Sequence, residues 1–290
     1  MRITDYFQRG IPSVSFEVFP PKAHVNAAAQ QDIDASIRAI AALRPDFMSV
    51  TYGAGGGTST HTQRIAQEIQ AAGVPALAHL TCVSSTREEV AAALNALAEN
   101  GIENVLALRG DRPTDPLPSD YQYAAELVAE AQRHGGFCIG AACYPDGHVE
   151  CPGQALDIEH LKAKVDAGCD FLTTQMFFDN AVLYSFLYRL ARKGIHLPVL
   201  AGVMPVTNAA QIKRICALSG TTLTARFRTM VDKFGDNPAA MKQAGIAYAT
   251  EQIADLIANG VPGVHIYTMN KPDVAAALLN NLSHLLGRAP

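Results

Sequence analysis

The sequence predicts an α/β fold of the TIM (β/α)8-barrel type, with extra helices between strands seven and eight. Short β-rich apolar runs alternate with longer Ala-rich helical stretches. The runs are nearly continuous, as expected of parallel strands covered on both faces. From strand start to strand start the spacings are 33, 29, 28, 34, 33 and 27 residues, then 65. Six near-equal β/α units followed by one enlarged connection make eight strands. A doubly wound sheet, the alternative, would want a clearer switch point and a dinucleotide fingerprint.

The predicted strands are Val14–Phe19, Phe47–Tyr52, Ala76–Cys82, Asn104–Arg109, Cys138–Cys143, Phe171–Met176, Pro198–Val203 and Gly263–Met269. Helices are expected between them at Thr86–Asn100, Tyr121–His134, Asp157–Ala167 and Ala181–Lys193. Thr86 with Glu89 has the form of a capping box. Gly101, Gly135, Gly168 and Gly194 each follow a helix, where glycine ends one at little steric cost. The long connection is expected to hold helices at roughly Leu223–Phe234 and Asn237–Ala258. No stretch reads as a linker, so residues 1–290 are taken as a single barrel domain.

Composition excludes several classes. Lys+Arg is 23 against Asp+Glu 27, a net charge of −4, which argues against a nucleic-acid platform. Hydrophobic residues at 49% and charged residues at 17% argue for a buried core and against disorder. No apolar run approaches the ~18 residues of a membrane span, and Met1–Tyr6 opens no export signal. A cytoplasmic protein, with no membrane partner, is the expectation. The six cysteines show no C-x-x-C spacing, so free, reduced thiols are expected. A zinc site from Cys143, His148 and Cys151 would need wider spacing than ligand pairs usually show, and no metal is expected.

Barrel chemistry sits at the C-terminal strand ends, and seven of the predicted strands carry polar residues at or near that rim. They are Glu17; Thr51 and Tyr52; His79 and Thr81; Arg109 and Asp111; Tyr144 and His148; Thr174 and Gln175; and Tyr267 to Lys271. Each also has a purely structural reading. Glu17 alternates with Phe16 and Val18 and so points into the barrel, where it could pair with Arg109. Asp111 could cap a helix, His79 could be a hydrogen-bonded core histidine, and Gln175 a satisfied polar residue. Asp157, His160 and Lys164 share one helical face beside the apolar stripe of Ile158, Leu161 and Val165. That face is either solvated or lies along a polyanionic ligand. The Gly53-Ala54-Gly55-Gly56-Gly57-Thr58 loop suits close approach by a phosphate or flat ring, or is simply flexible.

Five motifs together resemble one family. They are Ser15-Phe16-Glu17-Val18-Phe19-Pro20-Pro21, Val50-Thr51-Tyr52-Gly53-Ala54-Gly55-Gly56, His79-Leu80-Thr81-Cys82, Leu108-Arg109-Gly110-Asp111 and Thr174-Gln175-Met176-Phe177-Phe178-Asp179. In order and spacing they are similar to the methylenetetrahydrofolate reductase family, over essentially the whole chain. The length resembles the bacterial, catalytic-only form. The resemblance implies an FAD-dependent barrel enzyme that reduces 5,10-methylenetetrahydrofolate to 5-methyltetrahydrofolate, the methyl donor for methionine synthesis. It implies NADH or NADPH as electron donor, a ping-pong order, and a homo-oligomer.

Carried over by position, Glu17 matches the general acid, and Asp111 a carboxylate near flavin and folate. Thr51, His79, Leu108, Arg109, Gly110, Asp111, Tyr123, Ala124, Tyr144, His148, Asp157, His160 and Lys164 match cofactor contacts. Glu17, Asp111, Gln175, Gln211, Tyr267 and Lys271 match substrate-binding positions. The chain departs from the family pattern at His160 (Asn), Ala163 (Arg), Ile215 (an aromatic) and Lys271 (Arg), which bears on nicotinamide preference and affinity. Two other enzyme readings stay open: a proline-dehydrogenase-like barrel flavoenzyme, and a flavin-free folate or corrinoid methyl-transfer barrel. A non-catalytic scaffold would have no use for so many ionisable residues at the strand ends.

Overall fold

The computed structural model describes residues 1–21, 26–52, 59–112 and 118–288. Eight parallel strands close into a barrel in sequence order. They are β1 (Ser13–Val18), β2 (Phe47–Val50), β3 (Ala76–Thr81), β4 (Asn104–Leu108), β5 (Cys138–Cys143), β6 (Phe171–Thr174), β7 (Val199–Val203) and β8 (Gly263–Tyr267). The ladder from β8 back to β1 pairs Ser15 with His265 and Glu17 with Tyr267. Most strands stop one or two residues short of the apolar run that marks them, because the chain leaves the ladder where polar residues reach the mouth.

The helices are α1 (Ala27–Ala42), α2 (Ser59–Ala71), α3 (Arg87–Glu99), α4 (Ala124–His134), α5 (Gln154–Asp166), α6 (Asn180–Arg192), α7 (Ala209–Ser219), α8 (Ala225–Phe234), α9 (Pro238–Ala258) and α10 (Pro272–Leu282). The capping box at α3 forms: the Glu89 N–H donates to Thr86 Oγ1 at 3.3 Å and the Thr86 N–H to Glu89 Oε2 at 2.9 Å. All four stop glycines have positive φ, from +69° to +105°. α5 begins three residues before its predicted start, behind Gly153. The connection between β7 and β8 holds three helices where the sequence marks two. α7 escapes the periodicity because Ile212 is its one buried residue; Asn208 caps it, accepting from the Gln211 N–H at 2.8 Å.

The two barrel faces carry different cores. Val14, Phe16, Val18, Met48, Val50, Ala78 and Leu80 pack outward against the helices. On the inner face Phe47, Leu77, Leu106, Cys138, Phe171 and Leu200 close the lower end, plugged by Ile3. Ile3 belongs to a 3-10 helix, Ile3–Gln8, whose first N–H donates to Asn104 Oδ1 at 2.9 Å. Above this apolar plug the inner face turns polar. Among the described residues no helix is long and apolar enough to cross a membrane.

α9 crosses close to the chain that leaves β7. A Cβ placed on Gly245 would lie 1.7 Å from the Val206 carbonyl oxygen, with backbone on both sides of the contact. Gly245→Ala is therefore expected to cost about 1–3 kcal/mol, the usual penalty of overpacking. Urea denaturation measures it; an unchanged midpoint would show that α9 does not rest on this segment.

Candidate active site

The mouth of the barrel has an inner part and an outer part. In the inner part Glu17, on β1, is 8% exposed. Its Oε2 lies 3.6 Å from His79 Nε2 on β3 and 3.8 Å from His265 Nε2 on β8. His265 is held from both sides. Its Nδ1 is 2.7 Å from Ser15 Oγ and its Nε2 is 3.0 Å from Ser49 Oγ. The Ser15 hydroxyl donates to the Val264 carbonyl at 3.2 Å, so this network puts the ring proton on Nδ1, donating to Ser15. His79 is not tethered in this way. Its Nε2 makes no hydrogen bond with a described residue. Burial drives its imidazole down to about 4, against the opposing pull of Glu17.

Two structural readings of the sequence are corrected here. Glu17 does not pair with Arg109, which lies beyond β4 and turns toward the loop after β5. The Arg109 guanidinium donates to both oxygens of Glu150 at 2.7 Å and to the Gly110 carbonyl at 3.0 Å. That pairing raises the Arg109 pKa and lowers the Glu150 pKa, through the hydrogen bonds first in each case. Asp111 caps none of the described helices; it stands at a cavity wall well before α4.

The outer part is a cavity of about 1350 Å³ between the ends of β3, β4 and β5 and the neighbouring helices. Of the expected cofactor contacts, Leu108, Arg109, Gly110 and Asp111 line it from β4. Tyr123 and Ala124 line it from the start of α4, Tyr144 and His148 from β5 and its loop, and Asp157, His160 and Lys164 from α5. Thr51 and His79 do not line it. Thr51 stands at the end of β2, where its N–H donates to Val18 O at 3.1 Å. The Gly53–Thr58 loop lies outside the described residues. One wall is built of alanines, Ala92, Ala93 and Ala96 on α3 and Ala124 and Ala125 on α4, which keeps the space open beyond Cβ.

The cavity's polar groups are tuned by burial. Desolvation holds the Tyr144 phenol up at about 12 and lowers the Lys164 ammonium. Lys164 Nζ donates to the Ala142 carbonyl and lies 5.8 Å from the Tyr144 ring centre. Desolvation, and then Arg109, lowers His148; its Nδ1 accepts from the Glu150 N–H at 3.1 Å, so the ring proton is on Nε2. Tyr123 and His160 meet at 5.6 Å between ring centres. Among the described residues no group of three His, Cys, Asp or Glu is placed to hold a metal ion.

Besides Glu17 and Asp111, the expected substrate positions follow or end β6, β7 and β8. The Tyr267 hydroxyl donates to the Thr174 carbonyl at 2.6 Å. Gly202 makes room for this crossing, since a Cβ there would lie 2.3 Å from Thr174 O. Burial raises the Tyr267 phenol well above its ordinary range. Lys271 Nζ donates to Thr207 Oγ1. Gln175 folds back so that its Oε1 accepts from the Met176 N–H at 3.0 Å. Gln211 stands, half-buried, in the first turn of α7.

Sequence reasoning missed His265 and Glu150, and placed Asn270 at the rim without a role. Period-two alternation in Gly263–Tyr267 would have found His265, inward-facing like Tyr267. Met269 and Asn270 have φ of +53° and +56°. Two successive left-handed residues that are not glycine cost about 1–2 kcal/mol each, and no sequence signal announces them.

The chain matches the family model described as methylenetetrahydrofolate reductase over residues 2–283. It is 33% identical over 275 residues to the 5,10-methylenetetrahydrofolate reductase of Escherichia coli (strain K12), covering 94% of this chain and 92% of that one. It is 33% identical over 298 residues to methylenetetrahydrofolate reductase (NADH) 1 of Arabidopsis thaliana, covering 97% of this chain and 50% of that longer one. Among solved structures, an uncharacterized protein from Clostridium thermocellum that binds two copies of 5-methyl-5,6,7,8-tetrahydrofolic acid superposes with a TM-score of 0.69. It is 12% identical, over 98% of this chain and 99% of that one, a likeness of fold.

The buried His79 makes stability depend on pH. Its folded value of about 4 lies below the ordinary 6.5, so between these values the unfolded chain binds a proton that the folded chain refuses. Its neutral burial is therefore tolerated above pH 6.5 and penalised progressively as pH falls toward 4. The slope is at most about 1.4 kcal/mol per unit, a total on the order of 3 kcal/mol. His79→Gln is expected to flatten this acid limb in urea titrations. Parallel profiles for the two proteins would show that the native imidazole is already charged.

Proposed function

This chain belongs to the methylenetetrahydrofolate reductase family, and from that premise we propose that it reduces 5,10-methylenetetrahydrofolate to 5-methyltetrahydrofolate. NADH or NADPH is the donor, FAD is the resident cofactor, and the order is ping-pong. One observation carries the reading. A buried carboxyl group, Glu17, stands inside the mouth of a barrel whose neighbouring strand ends open into a cavity large enough for a dinucleotide. At about 1350 Å³ that cavity exceeds the roughly 300–1,000 Å³ usual for small ligands.

The residues present fit FAD. Lys164 and Arg109 bring positive charge to a diphosphate, and the alanine wall leaves a flat, deep space. FAD bound there would supply hydride exchange between the nicotinamide and the one-carbon bridge. Asp111 is assigned to hold negative charge where the substrate becomes cationic. Gln175, Gln211, Tyr267 and Lys271 are assigned to folate, and the NADH named for the Arabidopsis relative favours NADH as donor.

Glu17 carries the proton chemistry. The bridge joins N5 and N10 of the folate, and N10 leaves poorly until it is protonated. Glu17 gives its proton to N10, the C–N10 bond breaks toward N10, and the one-carbon unit becomes an N5 iminium that accepts hydride. The carboxylate is then reprotonated from solvent. His79, held neutral by burial, places no positive charge against the carboxyl group.

Two variants test these roles. Glu17→Gln should leave the NADH half-reaction intact and slow the folate half-reaction by ~10²–10⁴-fold; anaerobic stopped-flow measures both, and two normal half-reactions would reject the acid. Lys164→Glu should weaken FAD binding by at least about tenfold, the worth of one charge-assisted hydrogen bond. Fluorescence titration of the apoprotein reads it, and an unchanged Kd would release Lys164 from the cofactor.

A further inference from the structure

Past the last ladder pair of β1 and β8, the two chains are joined by side chains. The Thr268 hydroxyl donates to the Glu17 carbonyl at 2.8 Å, at a buried position. The Phe19 N–H donates to Asn270 Oδ1 and Asn270 Nδ2 donates to the Phe19 carbonyl, both at 2.9 Å. One amide therefore grips both backbone groups of a single residue, as a neighbouring strand would. The backbone of β8 cannot do this itself, because the chain turns left-handed at Met269 and Asn270. The Asn270 backbone N–H donates to Thr268 Oγ1 at 3.3 Å, so the Thr268 hydroxyl also braces the backbone from which the clamping amide projects.

These bonds bracket Glu17. Its own carbonyl is taken by Thr268, and the residue two further on is locked by Asn270. Among the described residues nothing holds the Glu17 carboxyl by a hydrogen bond of normal length; its histidine neighbours lie at 3.6 and 3.8 Å. Its aim into the mouth is set by its backbone. A strained turn persists only where its surroundings over-determine it, and here the strain lets one asparagine replace two ladder bonds.

We propose that Asn270, supported by Thr268, is a positioning residue for Glu17, fixing the end of β1 so that the carboxyl group meets the folate bridge. This rests on the reading of Glu17 as the acid. A displacement of about 1 Å in a reacting group can cost about 10²-fold in rate, so loss of the clamp should slow the step that needs the acid and spare the step that does not.

The test uses the FAD-loaded enzyme and Asn270→Gly, because glycine accepts the positive φ and relieves the strain while removing both hydrogen bonds. The variant should fold, as read by far-UV circular dichroism, and take the NADH half-reaction at the normal rate. Its folate half-reaction should slow by about 10- to 100-fold. Asn270→Asp, which keeps the acceptor for the Phe19 N–H, should recover part of the loss. In a Glu17→Gln background Asn270→Gly should add nothing further, since the group it positions is already gone. Hydrogen exchange should report lost protection of the Phe19 amide. An unchanged folate half-reaction in Asn270→Gly, or an unchanged Phe19 exchange rate, overturns the proposal. So does a loss that repeats in full on top of a slow Glu17→Gln enzyme, and this leaves the acid assignment standing. A normal folate half-reaction in Glu17→Gln alone overturns the acid assignment and the positioning role with it.

Discussion

Burying a carboxyl group in a barrel wall constrains every residue around it. Charge in such a place is costly unless it is paired, and a fixed ion pair would hold the carboxylate unprotonated. The structure surrounds Glu17 instead with two imidazoles that stop short of hydrogen-bonding distance. One is driven neutral by desolvation, and the other is occupied by two serine hydroxyls. The obvious cation, Arg109, is withheld by a bidentate pairing with Glu150. Among the described residues the carboxyl group is thus kept beside polar groups without being committed to any of them.

The barrel separates stability from chemistry along its axis. Aromatic and aliphatic side chains fill the lower end around Ile3, and polar side chains fill the upper end. The outer cavity is built differently, from the ends of three strands and the small residues of α3 and α4. There the positive charges of Arg109 and Lys164 are each restrained by a protein oxygen. Their geometry is therefore set before any ligand arrives, which lowers the ordering cost of binding.

Much of the site was legible by position. The strand ends had already drawn attention to Glu17, His79, Arg109, Asp111, Tyr144 and Lys164, because inward alternation and a helical stripe are local patterns. Their partners were not legible. Nothing near Arg109 in sequence indicates Glu150, forty-one residues on, and the asparagine that clamps Phe19 lies 251 residues away. α7 was missed because a helix that buries one side chain leaves almost no periodic trace.

The sequence by itself determined the eight β/α units, their order, the caps and stop glycines, and the enlarged seventh connection. All of these arise from interactions within a few residues or from the period of apolar positions, which a linear string contains. Only the closed barrel decided that His265 meets Ser15 across 250 residues, that Glu17 faces histidines and not an arginine, and that Tyr267 crosses to β6. Closure pairs the first strand with the last and sets their register, and no local rule fixes which inward side chains then share a layer.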